Sequence, residues 1–101
     1  MILKGISASK GKTKGPARIY AKGKIKKGDI FIAKTTTPSM SIDMLKALGV
    51  VTESGGMLSH AAIFCRELGI PCVVGVKDVL TKIEDGEIIE VDGEEGIVKK
   101  R

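Results

Sequence analysis

Residues 49–76 leave this chain little freedom of architecture. Gly49-Val50-Val51-Thr52 is a short apolar, β-branched run, and Cys72-Val73-Val74-Gly75-Val76 is a second. Between them lie a paired glycine, Gly55-Gly56, and a helix-length segment whose Ala61, Ala62, Phe64, Cys65 and Leu68 fall on one face. Gly69 suits a helix stop and Pro71 forbids continuation. Strand, helix and strand within these 28 residues predict a right-handed parallel crossover. The chain is therefore α/β, and the glycine pair falls at the carboxyl end of a strand, where open α/β folds place ligands.

The flanking segments read as a mixed sheet or barrel packed against two main helices. Ile2-Leu3-Lys4-Gly5-Ile6 predicts a first strand, Ser7 to Gly15 a turn-rich stretch, and Ala17 to Ala21 a second strand. A basic turn through Lys27-Gly28-Asp29 leads to Ile30-Phe31-Ile32-Ala33, whose continuous apolar character predicts a buried strand. Thr35 to Ser39 reads as a loop. Pro38 with Ser39 or Ser41 starts a helix through Ile42, Leu45 and Leu48, closed by Gly49, with Met40 and Met44 as core filling. One helical turn is expected between Asp78 and Ile83. Glu87 to Val91 and Gly96 to Lys99 then flank Asp92-Gly93-Glu94-Glu95 as an antiparallel hairpin. Gly11-Lys12-Thr13 ends like a phosphate-binding loop, but five residues separate Gly5 from Gly11 where four are required, and Gly15-Pro16 interrupts any following helix.

A length of 101 residues suits one domain, 1–101, with a single modest core, which must be aliphatic because Tyr20, Phe31 and Phe64 are the only aromatic residues. No apolar run is long enough to span a bilayer and no signal-peptide pattern opens the chain, so a cytoplasmic protein is expected. Cys65 and Cys72 lack a wider cysteine framework and read as reduced and buried. Up to residue 34 there are ten bases against Asp29 alone, a charge of +9, and the remainder carries seven bases and eleven acids, −4. That basic half could meet phosphates or an acidic partner, or could be lysines on solvated faces. It lacks the interleaved aromatics of a single-strand nucleic-acid binder.

Chemistry concentrates at His60, the sole histidine. A histidine in the first turn of a helix sits among free N–H groups at the positive end of the helix dipole, a place suited to phosphate. A neutral imidazole there presents one ring nitrogen with a lone pair, a nucleophile. A phosphoryl group taken by it would be met by the N–H groups of Gly55 and Gly56 and by the Ser59 hydroxyl, with Gly56 read as a positive-φ position. Arg66 reaches the same phosphate only if its side chain folds back. The alternative is structural: His60 as an ordinary helix-start residue and Ser59 only its N-cap. One histidine, without Cys-x-x-Cys or His-x-x-x-His spacing, argues against zinc. Ser59 and His60, adjacent on a helix, point in different directions and cannot form a hydrolase triad.

The run from Thr52 through Gly55-Gly56-Met57-Leu58-Ser59-His60-Ala61-Ala62-Ile63 to Gly75 resembles the phosphohistidine signature of the mobile, or swivelling, domain of phosphoenolpyruvate-utilising enzymes. Phosphoenolpyruvate synthase, pyruvate phosphate dikinase and the first enzyme of the sugar phosphotransferase system are of that kind. The resemblance extends to Gly28-Asp29, Pro38, Asp85-Gly86 and Val91-Asp92-Gly93, nearly the whole chain. It implies a swivelling β/β/α-type fold, with His60 carrying the phosphoryl group and the Gly-Gly turn and Ser59 lining its site. Leu58 stands where several members have a threonine that is a phosphorylation switch in some dikinases, and leucine has no hydroxyl. Cys65 stands where alanine is common.

The function so implied is a phosphocarrier that does not turn over alone, moving phosphate between active sites of partner domains or proteins. No cofactor is expected within this chain. Magnesium with nucleotide, or phosphoenolpyruvate and pyruvate, would belong to those partners. Met1 and the basic Lys99-Lys100-Arg101 ending suit a whole short protein acting in trans, and a piece of a larger enzyme is the other arrangement. A non-catalytic module binding a phosphorylated ligand or protein is the alternative function, with nucleic-acid binding third.

Overall fold

The computed structural model describes residues 1–100; Arg101, the last residue of the basic ending, lies outside them. Eight strands form a mixed sheet: β1 (Ile2–Lys4), β2 (Ile6–Ser9), β3 (Lys12–Ile19), β4 (Ile30–Ala33), β5 (Gly49–Thr52), β6 (Cys72–Val74), β7 (Ile88–Asp92) and β8 (Ile97–Lys100). Their order is β1-β8-β7-β3-β4-β5-β6-β2. The run β3-β4-β5-β6 is parallel, and the remaining pairs are antiparallel. Three helices accompany them, α1 (Ser41–Lys46), α2 (His60–Leu68) and α3 (Val79–Lys82).

The two ends of that order are consecutive in the chain. Only Gly5 separates β1 from β2, so one bent segment pairs with β8 on one side and β6 on the other and closes the sheet on itself. The Gly5 N–H donates to the Gly96 carbonyl at 2.8 Å, and a Cβ on Gly5 would lie 2.6 Å from the Val74 carbonyl oxygen. Only glycine fits that approach. The sequence reading of one strand over 2–6 followed by turns to Gly15 is corrected here. A single tight turn at Gly11, φ +118°, separates two strands, and Lys12 to Pro16 pair with Asp92 to Ile88 of β7. Exposed Lys12 and Lys14 alternate with buried Gly15 and Ala17 further along, a strand period disguised by glycine and lysine. β3 also stops at Ile19, before the predicted Ala21, where Tyr20–Lys22 form a 3₁₀ turn.

The apolar β4 run is buried on both faces because it separates two cores. Ile30 and Ile32 point into the closed sheet with Ala17, Val51, Val73, Val91 and Val98, whereas Phe31 and Ala33 meet the helices with Met44, Ala61, Ala62 and Cys65. Each fully buried large side chain contributes about 1.5–3 kcal/mol of transfer free energy. α1 is shorter than the sequence predicts. Pro38–Met40 form a 3₁₀ turn, α1 covers six residues, and extended Ala47 ends it, so Gly49 opens β5 instead of closing the helix. Met44 is fully buried, in keeping with its reading as core filling, while Ile42, Leu45 and Leu48 are exposed. Both Met44 and the Ile42-Leu45 pair satisfy helical spacing, and a helix this short takes its facing from its anchors, among them the bond from Leu48 N–H to the Asp29 carbonyl.

Cys65 and Cys72 are both free and buried. The Cys65 thiol beside it and its burial push the Cys72 thiol upward, away from thiolate formation.

Candidate functional site

Parallel β4 and β5 both end at the same edge, and the loops leaving them are laced together. Glu53 N–H donates to the Ala33 carbonyl at 3.0 Å, and the Ser54 N–H and hydroxyl both donate to the Lys34 carbonyl at 2.9 Å. The Thr52 hydroxyl donates to the Ser54 carbonyl at 2.7 Å. Gly55 then turns the chain with φ +112°. The positive φ falls on Gly55 and not on Gly56, where a Cβ would meet no heavy atom within 4 Å.

Ser59 is the N-cap of α2. Its backbone is extended, and its Oγ accepts from the Ala62 N–H at 3.4 Å while donating to the Gly56 carbonyl at 2.8 Å. That hydroxyl proton is already used, so in this arrangement Ser59 shapes the turn and gives no spare donor to an anion. The N–H groups of His60 and Ala61, first in the helix, have no acceptor within it and remain at its positive end.

His60 is half-buried, its ring 5.6 Å from that of Phe64, one turn further along. Its Nδ1 lies 2.8 Å from Oγ1 of Thr36, a buried residue beyond the end of β4. Thr36 is the residue that sequence reasoning missed. Thr35 to Ser39 has no periodicity, and the only available signal was positional: segments leaving the carboxyl ends of neighbouring parallel strands converge.

The structure takes Arg66 elsewhere. Its Nε donates to the Ala8 carbonyl at 3.0 Å and its Nη2 to the Met57 carbonyl, so it ties the glycine loop to β2. It lines a cleft of about 390 Å³ with Ser7, Ala8, Ser9, Lys10, Met57 and Gly69, apart from the imidazole. Nearly two helical turns separate it from His60, and two carbonyls nearer at hand capture the guanidinium. The structure thus brings together Gly55, Gly56, Ser59, His60 and Thr36, with Arg66 behind them. Among the described residues there is no group of three or more His, Cys, Asp or Glu placed to hold a metal ion, and no helix long and apolar enough to cross a membrane.

Known proteins resemble this chain in sequence or in fold. The phosphoenolpyruvate synthase of Pyrococcus furiosus is 44% identical over 99% of this chain. The chain spans only 13–14% of the length of such curated relatives. A solution structure of Enzyme I, nEIt, is 40% identical over 72% of the chain and 30% of its own, with a TM-score of 0.63. The Thermococcus kodakaraensis aconitase X superposes over 100% of this chain and 98% of its own with a TM-score of 0.79, and at 16% identity the likeness is of fold alone. The family model described as PEP-utilising enzyme, mobile domain, matches residues 25–96, an interval that holds β4, β5, α2, Thr36 and His60, and with these relatives it shows that the chain belongs to the PEP-utilising enzyme mobile domain family.

Proposed function

We propose that the protein is a phosphohistidine carrier, with Nε2 of His60 as the atom that takes and gives the phosphoryl group. The observation that carries this reading is the 2.8 Å contact between His60 Nδ1 and Thr36 Oγ1. With Nδ1–H donating to that hydroxyl, the remaining lone pair lies on Nε2. Nε2 attacks the phosphorus of phosphoenolpyruvate or of a nucleotide held by a partner domain. The P–N bond forms as the P–O bond to the leaving oxygen breaks, and that oxygen departs with the electron pair. Transfer onward reverses the step at a second site. The helix N-terminus stabilises the added negative charge, and the Ser59 cap and Arg66 clamp hold the loop so that reacting atoms meet in one geometry. Magnesium, nucleotide, phosphoenolpyruvate and pyruvate belong to partner domains in this reading, whether these share the chain or act in trans.

The test is labelling. The protein with phosphoenolpyruvate alone stays unlabelled. Adding Pyrococcus furiosus phosphoenolpyruvate synthase with its own mobile domain disabled yields one acid-labile, base-stable phosphate. His60→Ala and His60→Asn abolish it with unchanged circular dichroism. Equal labelling of wild type and His60→Ala refutes the carrier, and a protein that binds phosphate analogues at this loop but never takes label is a binding module.

A further inference from the structure

The cleft that Arg66 lines, about 390 Å³, falls within the size range of small-molecule sites. One wall is β2 with Lys10, which follows it, the other is the flank of α2 that carries Arg66, and Met57 borders it from the glycine loop. Its charge is one-sided. Lys10 and Arg66 are both exposed, and among the described residues no carboxylate pairs with either. No Asp or Glu lines the cleft. Glu94 reaches the turn after β2 but accepts the Gly11 N–H there, at 2.8 Å.

A guanidinium has five N–H donors. Arg66 uses two of them, Nε on the Ala8 carbonyl at 3.0 Å and one Nη2 hydrogen on the Met57 carbonyl. Those bonds fix the plane of the fork, and among the described residues both Nη1 hydrogens and the second on Nη2 meet no acceptor. A free guanidinium end takes two oxygens of a phosphate or carboxylate in parallel. Held in place beforehand, it loses little freedom in doing so.

Two features choose between those anions. Lys10 and Arg66 together carry +2, which matches the dianion of a phosphate monoester near neutral pH, whereas a single carboxylate leaves one charge unanswered. The hydroxyls of Ser7 and Ser9, which also line the cleft, donate to the Gly93 and Cys65 carbonyls. What remains on them is lone pairs, which repel an anion and accept from a hydroxyl.

We infer that this cleft binds a small sugar phosphate, its phosphate held by the free end of Arg66 and by Lys10, and its hydroxyls by Ser7 and Ser9. The site is separate from the His60 loop and stands whether or not His60 carries phosphate. Occupancy nevertheless reaches that loop, because the guanidinium that takes the phosphate also holds the Met57 carbonyl, three residues before His60.

Ribose 5-phosphate tests this in a titration of the full chain followed by proton–nitrogen NMR. The expected result is saturable shifts at the amides of Ser7 to Lys10 and Gly69 and at the Arg66 Nε–H, weaker binding of inorganic phosphate, and none of ribose. The Lys10 side chain has no bond of its own to lose among the described residues, so Lys10→Gln leaves the urea midpoint unchanged while weakening the affinity by about fivefold or more. Lys10→Arg keeps it within about twofold of wild type. Equal affinity for inorganic phosphate overturns the inference, since the hydroxyls then contribute nothing. So does an absence of saturation, or a Lys10→Gln affinity equal to that of wild type. Shifts centred on Gly55 to Ala61 instead put the phosphate at the start of α2 and overturn it as well. The carrier reading is judged apart from all of these, by the labelling of His60.

Discussion

Replacing Gly55 and Gly56 one at a time by alanine separates two glycines that look equivalent in the sequence. Gly55 has φ +112°, and a Cβ built on it would lie 3.1 Å from Ser59 Cβ and 3.2 Å from Ser59 Oγ. Holding a non-glycine residue in so sparsely populated a conformation costs about 1–3 kcal/mol. The methyl group also pushes on the side chain that caps α2, and a lost cap costs about 1 kcal/mol. Gly55→Ala should therefore destabilise by about 2–4 kcal/mol, a large share of the roughly 5–15 kcal/mol that holds a domain of this size together. At about 4–8 °C per kcal/mol, the midpoint falls by about 10–30 °C. Gly56 lies outside the left-handed region with open space around its Cα, so Gly56→Ala should change stability by less than about 1 kcal/mol in either direction. Urea unfolding followed by circular dichroism, with unchanged slope, measures both. If Gly56→Ala proves the more damaging, or the two differ by less than about 0.5 kcal/mol, the assignment of the strained turn is wrong.

Thr36→Val removes the Nδ1 partner of His60 while keeping side-chain shape; labelling of His60 by phosphoramidate should fall about tenfold or more, with a stability loss near 1 kcal/mol, and Thr36→Ser should restore the rate. Unchanged labelling of Thr36→Val shows that the hydroxyl does not orient the ring. Asp92 is held below the ordinary carboxylate range chiefly by the Glu95 backbone N–H, with help from Lys12 and the Glu94 N–H. A depressed folded-state value contributes stability that is present above the unfolded value, about pH 4, and lost as pH falls through the folded one. The stability gap between wild type and Asp92→Asn should then be widest near neutrality and narrow below about pH 4 in urea titrations. A gap independent of pH refutes the assignment.

The crossover that carries His60 was legible because its signals are local. Gly69 adopts φ +72° at the end of α2, and Pro71 stands just before β6. The terminal hairpin was equally plain, from its apolar runs and the turn between them. What escaped depends on partners distant in sequence. Thr36 gains its meaning from a ring 24 residues away. Lys12 to Pro16 become a strand through pairing with β7, which local turn propensity at Gly11 and Gly15 conceals. Ile42 and Leu45 have the spacing of a buried stripe, yet that spacing does not say which side of a short helix faces the core. Arg66 was a plausible anion ligand by charge, and the carbonyls of Ala8 and Met57 that claim it are invisible to motif reading.

The bent segment around Gly5 has a consequence for how the chain reaches its native state. Its β1 half pairs Ile2 with Lys99, 97 positions apart, whereas β7 and β8 meet through Asp92 and Ile97, five apart. By loop-closure entropy alone, the distant pairing costs about 2.5 kcal/mol more to initiate than the hairpin. The hairpin is thus a native-like template waiting for its neighbour, and the ring is sealed only when the beginning of the chain finds it. Until that late encounter β8 keeps an open edge, so the interval before closure is when a second chain could add its own first strand in place of the proper one.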